Sequence, residues 1–154
     1  MTTHVERSIE VGVPVRTAYD QWTRFEEFPH FMSGVEEVRQ VSDDLTHWRV
    51  KVGGKTREFD ARITEQIPDE RVAWTSIDGP RQAGVVTFHR LDPGHTRITA
   101  QLDIEPEGLA ETMGERAGVV SHRVKDDLKR FREYIEGRGS ASGSWRGEVH
   151  RPEP

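Results

Sequence analysis

At Leu109 the spacing of apolar residues changes from two to about 3.6. Downstream, Leu109, Met113, Ala117, Val120, Val124, Leu128, Phe131 and Ile135 follow one another at intervals of 4, 4, 3, 4, 4, 3 and 4. That pattern is one apolar stripe on a single helix ending near Glu136. At ~1.5 Å per residue the helix is roughly 40 Å long. Upstream, the alternation predicts strands. Val5, Ile9 and Val11 share one parity, as do Trp48, Val50 and Val52. The same holds for Phe59, Ala61 and Ile63, for Val72, Trp74 and Ser76, for Gly84, Val86 and Phe88, and for Ile98, Ala100, Leu102 and Ile104. A weaker strand covers residues 35–41, with Val35, Arg39 and Val41 on one side. Seven strands at ~4.8 Å spacing make a sheet roughly 30 Å wide, which such a helix can cross.

The connections are short. Asp43-Asp44, Gly53-Gly54, Pro68-Asp69-Glu70, Asp78-Gly79-Pro80 and Asp92-Pro93-Gly94 mark turns. In the last of these, proline presets φ and glycine is expected to take the left-handed position. Short hairpins make the sheet antiparallel. Pro14 opens a helix to about Arg24, with Val15, Ala18, Tyr19 and Trp22 on one side. The cluster Phe25, Phe28, Phe31 and Met32, interrupted by Pro29, reads as a second short helical piece ending near Gly34. The expected fold is α+β: a seven-stranded curved antiparallel sheet wrapped around a long C-terminal helix, with two short helices after the first strand. Residues 1–136 form that domain. Residues 137–154, GRGSASGSWRGEVHRPEP, are expected to be a disordered Gly/Ser/Pro-rich tail.

Composition removes several classes of function. Cysteine is absent, which excludes disulfides, thiol catalysis and cysteine-ligated metal clusters. Net charge is −5, which argues against a nucleic-acid partner. No apolar run approaches the ~18 residues of a membrane span, and residues 1–7 show no signal-peptide pattern, so a cytoplasmic location is expected. The seven histidines form no ligand spacing, and neither a metal nor a cofactor is called for.

The order of elements carries a resemblance. Together with Ile9-Glu10-Val11, Phe25-Glu26-Glu27-Phe28-Pro29-His30-Phe31-Met32, Val72-Ala73-Trp74, Gly84-Val85-Val86-Thr87-Phe88 and Asp127-Leu128-Lys129-Arg130-Phe131, it resembles the START/SRPBCC superfamily. Within it, the chain looks like the polyketide cyclase/dehydrase and coenzyme-Q-binding-protein-like branch. The resemblance spans residues 4 to about 136. It implies a helix-grip fold with a deep cavity between sheet and helix for an apolar ligand. Gly114 and Gly118, small residues beside Met113 and Ala117, agree with space under the N-terminal half of the helix. Val124, Leu128, Phe131 and Ile135 are expected to fill the C-terminal half.

The expected ligand-binding set follows. Trp48, Phe59, Trp74 and Phe88 present aromatic rings from four strands. Phe28, Phe31 and Met32 stand near the mouth, and Met113, Ala117 and Val120 close the helix side. Arg39, Arg57 and Ser76 are polar residues on apolar parity, where an inward arginine holds an enolate, phenolate or carboxylate; a side chain running out to solvent is the alternative. Related aromatase/cyclases use an interior arginine, and Arg62 matches by position but has the wrong parity. Catalytic residues cannot be assigned.

The first functional expectation is binding of a small hydrophobic molecule: an aromatic polyketide-like compound, an isoprenoid quinone or a lipid. The alternative is a cofactor-independent cyclase, aromatase or dehydratase acting on a poly-β-keto chain, so whether the chain is an enzyme stays open. Contact with a membrane or partner through the loop from Phe25 to Met32 ranks third, and monomer and homodimer both remain open.

Overall fold

Seven strands form one sheet in the order β1-β7-β6-β5-β4-β3-β2. They are β1 (Thr3–Val11), β2 (Val35–Ser42), β3 (Leu45–Val52), β4 (Lys55–Ile67), β5 (Arg71–Ser76), β6 (Gln82–Asp92) and β7 (His95–Ile104). The structure, a computed structural model, describes residues 3–52, 55–78, 81–104 and 117–150. Every pairing is antiparallel, and β1 returns to pair with β7 from Thr3↔Ile104 to Val11↔Thr96. This is the sheet that the alternation predicts. The predicted Gly53-Gly54 hairpin and the Gly79-Pro80 break fall outside the described residues, as do Leu109, Met113 and Gly114.

Between β1 and β2 lie α1 (Val15–Trp22) and a 3-10 helix (Phe25–His30). The long helix α2 is described from Ala117 to Arg138. It runs beside β1, tied by Arg7 Nε donating to Ser121 Oγ (2.8 Å) and by Gly12 N donating to Glu136 Oε2 (2.7 Å). The core gathers where α1, the 3-10 helix and the C-terminal half of α2 meet the sheet. Tyr19, Phe31, Phe131 and Ile135 are all nearly or fully buried there. The rings of Trp22, Phe28, Phe31 and Phe131 stand 4.9–6.1 Å apart in edge and tilted contacts.

Three local readings change. Gly94 does not take positive φ; instead Asp92 Oδ1 accepts its N–H at 2.8 Å and closes the turn. Asp69 takes the left-handed conformation (φ 65°) in the β4–β5 turn. Strand irregularities between Val35 and Glu37 and between Ile63 and Glu65 shift the alternation. Val38 and Gln66 therefore point inward and are buried.

The segment expected to be a disordered tail is packed down as far as residue 150. Val149 and Gln66 exchange backbone hydrogen bonds at 2.7 and 2.9 Å. Arg146 pairs with Asp20 and Asp69. Composition hid this because a few dispersed contacts, from Ser142, Arg146 and Val149, carry the attachment, not an apolar run. The same segment explains why Asp20 and Gln21, on the predicted polar side of α1, are buried.

Candidate functional site

A hollow of about 210 Å³ lies between the sheet and α2. Trp48, Val50, Phe59, Ile63, Trp74 and Leu102 line it from the strands, and Val124 and Leu128 from α2. Trp22, Phe25, Phe28 and Met32 close the side toward the short helices. Trp48 lies parallel to Phe59 at a centroid distance of 6.0 Å, and Phe28 tilts against Trp48 at 5.6 Å. Gly84 makes room for Trp74. A Cβ there would stand 2.6 Å from the indole Cζ2 and 2.8 Å from Leu102 Cδ2, closer than packed carbon atoms come.

Polar groups are few and mostly engaged. Thr46 Oγ1 accepts from Trp48 Nε1 (2.8 Å) and donates to Ala61 O (3.1 Å). On α2, Asp127 and Arg123 border the hollow. Asp127 Oδ1 accepts from Arg130 Nη2 (2.5 Å) and lies 3.5 Å from Ser33 N. Arg130 Nε also donates to Phe31 O (3.1 Å), so this cluster ties the loop after the 3-10 helix to α2. Burial pushes the Asp127 carboxyl above its ordinary pKa, against the pull of Arg130 and then Arg123. Gln82 borders the hollow as well.

Of the residues expected at a ligand site, Phe28, Met32, Trp48, Phe59 and Trp74 line this hollow. Phe31 does not; it is sealed among Trp22, Phe131 and Tyr134. Phe88 packs edge-on to Tyr19 at 5.4 Å and belongs to the solid core. Arg39 is a correction. The irregularity after Val35 turns it outward, where its side chain is 61% exposed beside Glu37. Arg57 is half-buried and outside the lining. Ser76 accepts from Gln82 N at 3.0 Å and also lies outside it. Met113 is outside the described residues, and so are the side chains of Ala117 and Val120. Val124 and Leu128 border the hollow, whereas Phe131 and Ile135 lie outside its lining, in the solid core.

Arg62 points outward to Asp44 (2.7 Å), as its parity requires. His30 stacks on Tyr134 and pairs with Glu27. Sequence reading missed Trp22, Phe25, Thr46, Gln82, Arg123 and Asp127. Trp22 was legible as a member of the apolar side of α1. Thr46 and Gln82 were legible by parity, since they share the inward face with Trp48 and with Val86. Arg123 and Asp127 carried no signal, since their approach to the hollow depends on helix rotation.

A family profile described as polyketide cyclase/dehydrase and lipid transport matches residues 11–132. The chain belongs to this family. An uncharacterised 17.2 kDa protein of Streptomyces lincolnensis, from the melC2-rnhH intergenic region, is 59% identical over 146 residues, covering 94% of this chain and 97% of that protein. The Zhui aromatase/cyclase of Streptomyces sp. R1128 superposes with a TM-score of 0.75 at 16% identity, covering 94% of this chain and all of that one (100%). A START superfamily protein of Mycobacterium smegmatis gives 0.67 at 16% identity, over 88% and 95% of the two chains. At such identities these two structures establish the helix-grip fold alone. This polyketide cyclase/dehydrase family member thus has the family's sheet and gripping helix with an apolar hollow between them. At family level its role is binding or cyclising a small hydrophobic molecule. Among the described residues no helix is long and apolar enough to cross a membrane.

Proposed function

We propose that the chain binds a compact, largely aromatic small molecule in the hollow between sheet and α2. The observation that carries this reading is the lining: aromatic rings from β3, β4, β5, α1 and the 3-10 helix surround unfilled space, with polar groups confined to a few positions. Unfilled apolar space of this kind costs stability, and a ring system entering it recovers those contacts. The volume of about 210 Å³ falls below the ~300–1,000 Å³ of most ligand pockets, which favours a compact ligand. Burying ~300 Å² of apolar area is worth roughly 7 kcal/mol before association costs, which leaves about micromolar affinity. A polar end of the ligand would meet Asp127 and Arg123.

Trp22, Trp48 and Trp74 line the hollow and report on occupancy. Titration with 2-naphthol is expected to quench their fluorescence with a dissociation constant of about micromolar order. Trp48→Ala is expected to weaken binding roughly tenfold. Native mass spectrometry of protein from its own host should carry a co-purified small molecule. No quenching together with no co-purified molecule would sink the proposal.

One observation favours a second reading, cyclisation or dehydration of a poly-β-keto chain. Asp127 borders the hollow with its pKa raised by burial, which suits a group that exchanges protons with a confined substrate. Turnover of a poly-β-keto substrate that disappears in Asp127→Asn, with naphthol binding retained, is the result expected on that reading.

A further inference from the structure

The segment after α2 is fastened to the outer side of α1 at consecutive residues. Arg146 lies over the Tyr19 ring, with its guanidinium carbon 5.5 Å from the centroid. Its Nη1 donates to Asp20 Oδ1 (2.5 Å), and its Nη2 lies 2.7 Å from Asp69 Oδ1 in the β4–β5 turn. Ser142 N donates to Gln21 Oε1 (2.8 Å). The Val149–Gln66 bridge then pins the end of the segment to β4. Asp20 is 7% exposed and Gln21 is fully covered, so the clamp works in a partly dehydrated place where a two-pronged guanidinium is stronger than at an open surface.

The next residue along α1 is Trp22, which lines the hollow. The helix that positions it has little of its own to hold it. It has eight residues, no side-chain hydrogen bond at its N-cap, no acidic residue in its first turn and no basic residue in its last. A helix so short is unstable in isolation. Its place comes from what packs on it: Phe88 and Phe131 from inside, and residues 142–149 from outside. That outer segment lies beyond the residues matched to the family, which end at 132.

We infer that residues 139–150 are a strap that holds the α1 wall of the hollow in place, with Arg146 as its positioning residue. With the strap docked, α1 is gripped on both sides and Trp22 keeps its position. With the strap released, α1 opens locally while the sheet stays folded. The anchoring of α1 stands by itself; its consequence for affinity rests on the binding reading above, through the smaller fraction of chains whose wall is formed.

The test compares the full chain with Arg146→Ala and Arg146→Lys by amide hydrogen exchange and 2-naphthol titration. In Arg146→Ala the amides of residues 18–23 are expected to exchange about tenfold faster or more, with those of β6 and β7 unchanged. Naphthol affinity is expected to fall by about the same factor as the closed fraction of α1. Arg146→Lys is expected to fall between, because an ammonium cannot span both carboxylates in a planar fork. Unchanged exchange in α1, or acceleration shared equally by α1 and the β6–β7 strands, overturns the inference. Should Arg146→Ala not fold, Gln21→Leu removes the acceptor that meets Ser142 N and is read in the same way. Absence of naphthol binding by the unsubstituted chain would overturn the binding reading, while the exchange data would still decide the strap.

Discussion

The two ends of the space between the sheet and α2 use the same kinds of side chain and reach opposite outcomes. At one end, Tyr19, Trp22, Phe28, Phe31, Phe88 and Phe131 interlock, with ring centroids 4.9–6.1 Å apart. At the other, Trp48, Phe59 and Trp74 look into a hollow of about 210 Å³. The difference is not hydrophobicity but a third layer. At the first end rings of the short helices pack directly on Phe88 and Phe131. At the second the same helices supply only one wall, through Trp22, Phe25 and Phe28, and the space beyond it stays open. Aromatic residues on a sheet therefore become core or cavity wall according to what is laid over them.

Four substitutions would break or sharpen this contrast. The largest effect is expected from Phe131→Ala. The ring is fully buried and touches Trp22 at 4.9 Å and Phe31 at 5.1 Å. Its loss is expected to cost about 3–5 kcal/mol in urea unfolding; a cost below about 1 kcal/mol would mean that this end is not solid. Gly84→Ala comes next. The new methyl meets the Trp74 indole at 2.6 Å, which is expected to cost about 1–3 kcal/mol and to change Trp74 emission. A silent Gly84→Ala would show that the indole moves freely in the hollow.

Val124→Phe puts a ring into the open end. Because space is available there, stability is expected to change by less than about 1 kcal/mol, whereas 2-naphthol binding is expected to drop by tenfold or more. Equal destabilisation by Val124→Phe and Phe131→Ala would erase the distinction between the two ends.

The smallest effect is expected on the face of the sheet turned away from the hollow. His47 Nδ1 lies 2.6 Å from Asp60 and its Nε2 lies 3.1 Å from Glu58. The bonds to Asp60 and then Glu58 raise its pKa. A histidine held above its unfolded value contributes stability in full below about pH 6.5, where it is charged in both states. That contribution is lost as pH rises through the raised folded value. His47→Gln is expected to remove this slope, worth roughly half a kcal/mol on a screened surface. Unfolding curves at pH 5.5 and 8.5 that keep the same difference in the variant would assign the slope elsewhere.

Much of the architecture was legible because alternation and helical periodicity are local. The strands β3 to β7 stand where parity puts them, apart from the end of β4 after Ile63, and the stripe through Val124, Leu128, Phe131 and Ile135 faces the sheet. Arg39 was misread because one irregularity after Val35 reverses parity, and nothing in Val35-Glu36-Glu37-Val38 announces it. The contacts of residues 142–149 were not legible for a related reason. Disorder was inferred from composition, while docking rests on Arg146 meeting Asp20 and Asp69, residues 126 and 77 positions away in the chain.

By itself, then, the amino-acid order determined seven antiparallel strands, two short helices and one gripping helix, because side-chain period reports which face is buried. Tertiary structure alone decided which aromatic rings interlock and which bound empty space, that Asp127 and Arg123 border the hollow, and that Ser142 and Arg146 meet α1. Each of those depends on distances between residues remote in sequence, and no local pattern encodes such distances.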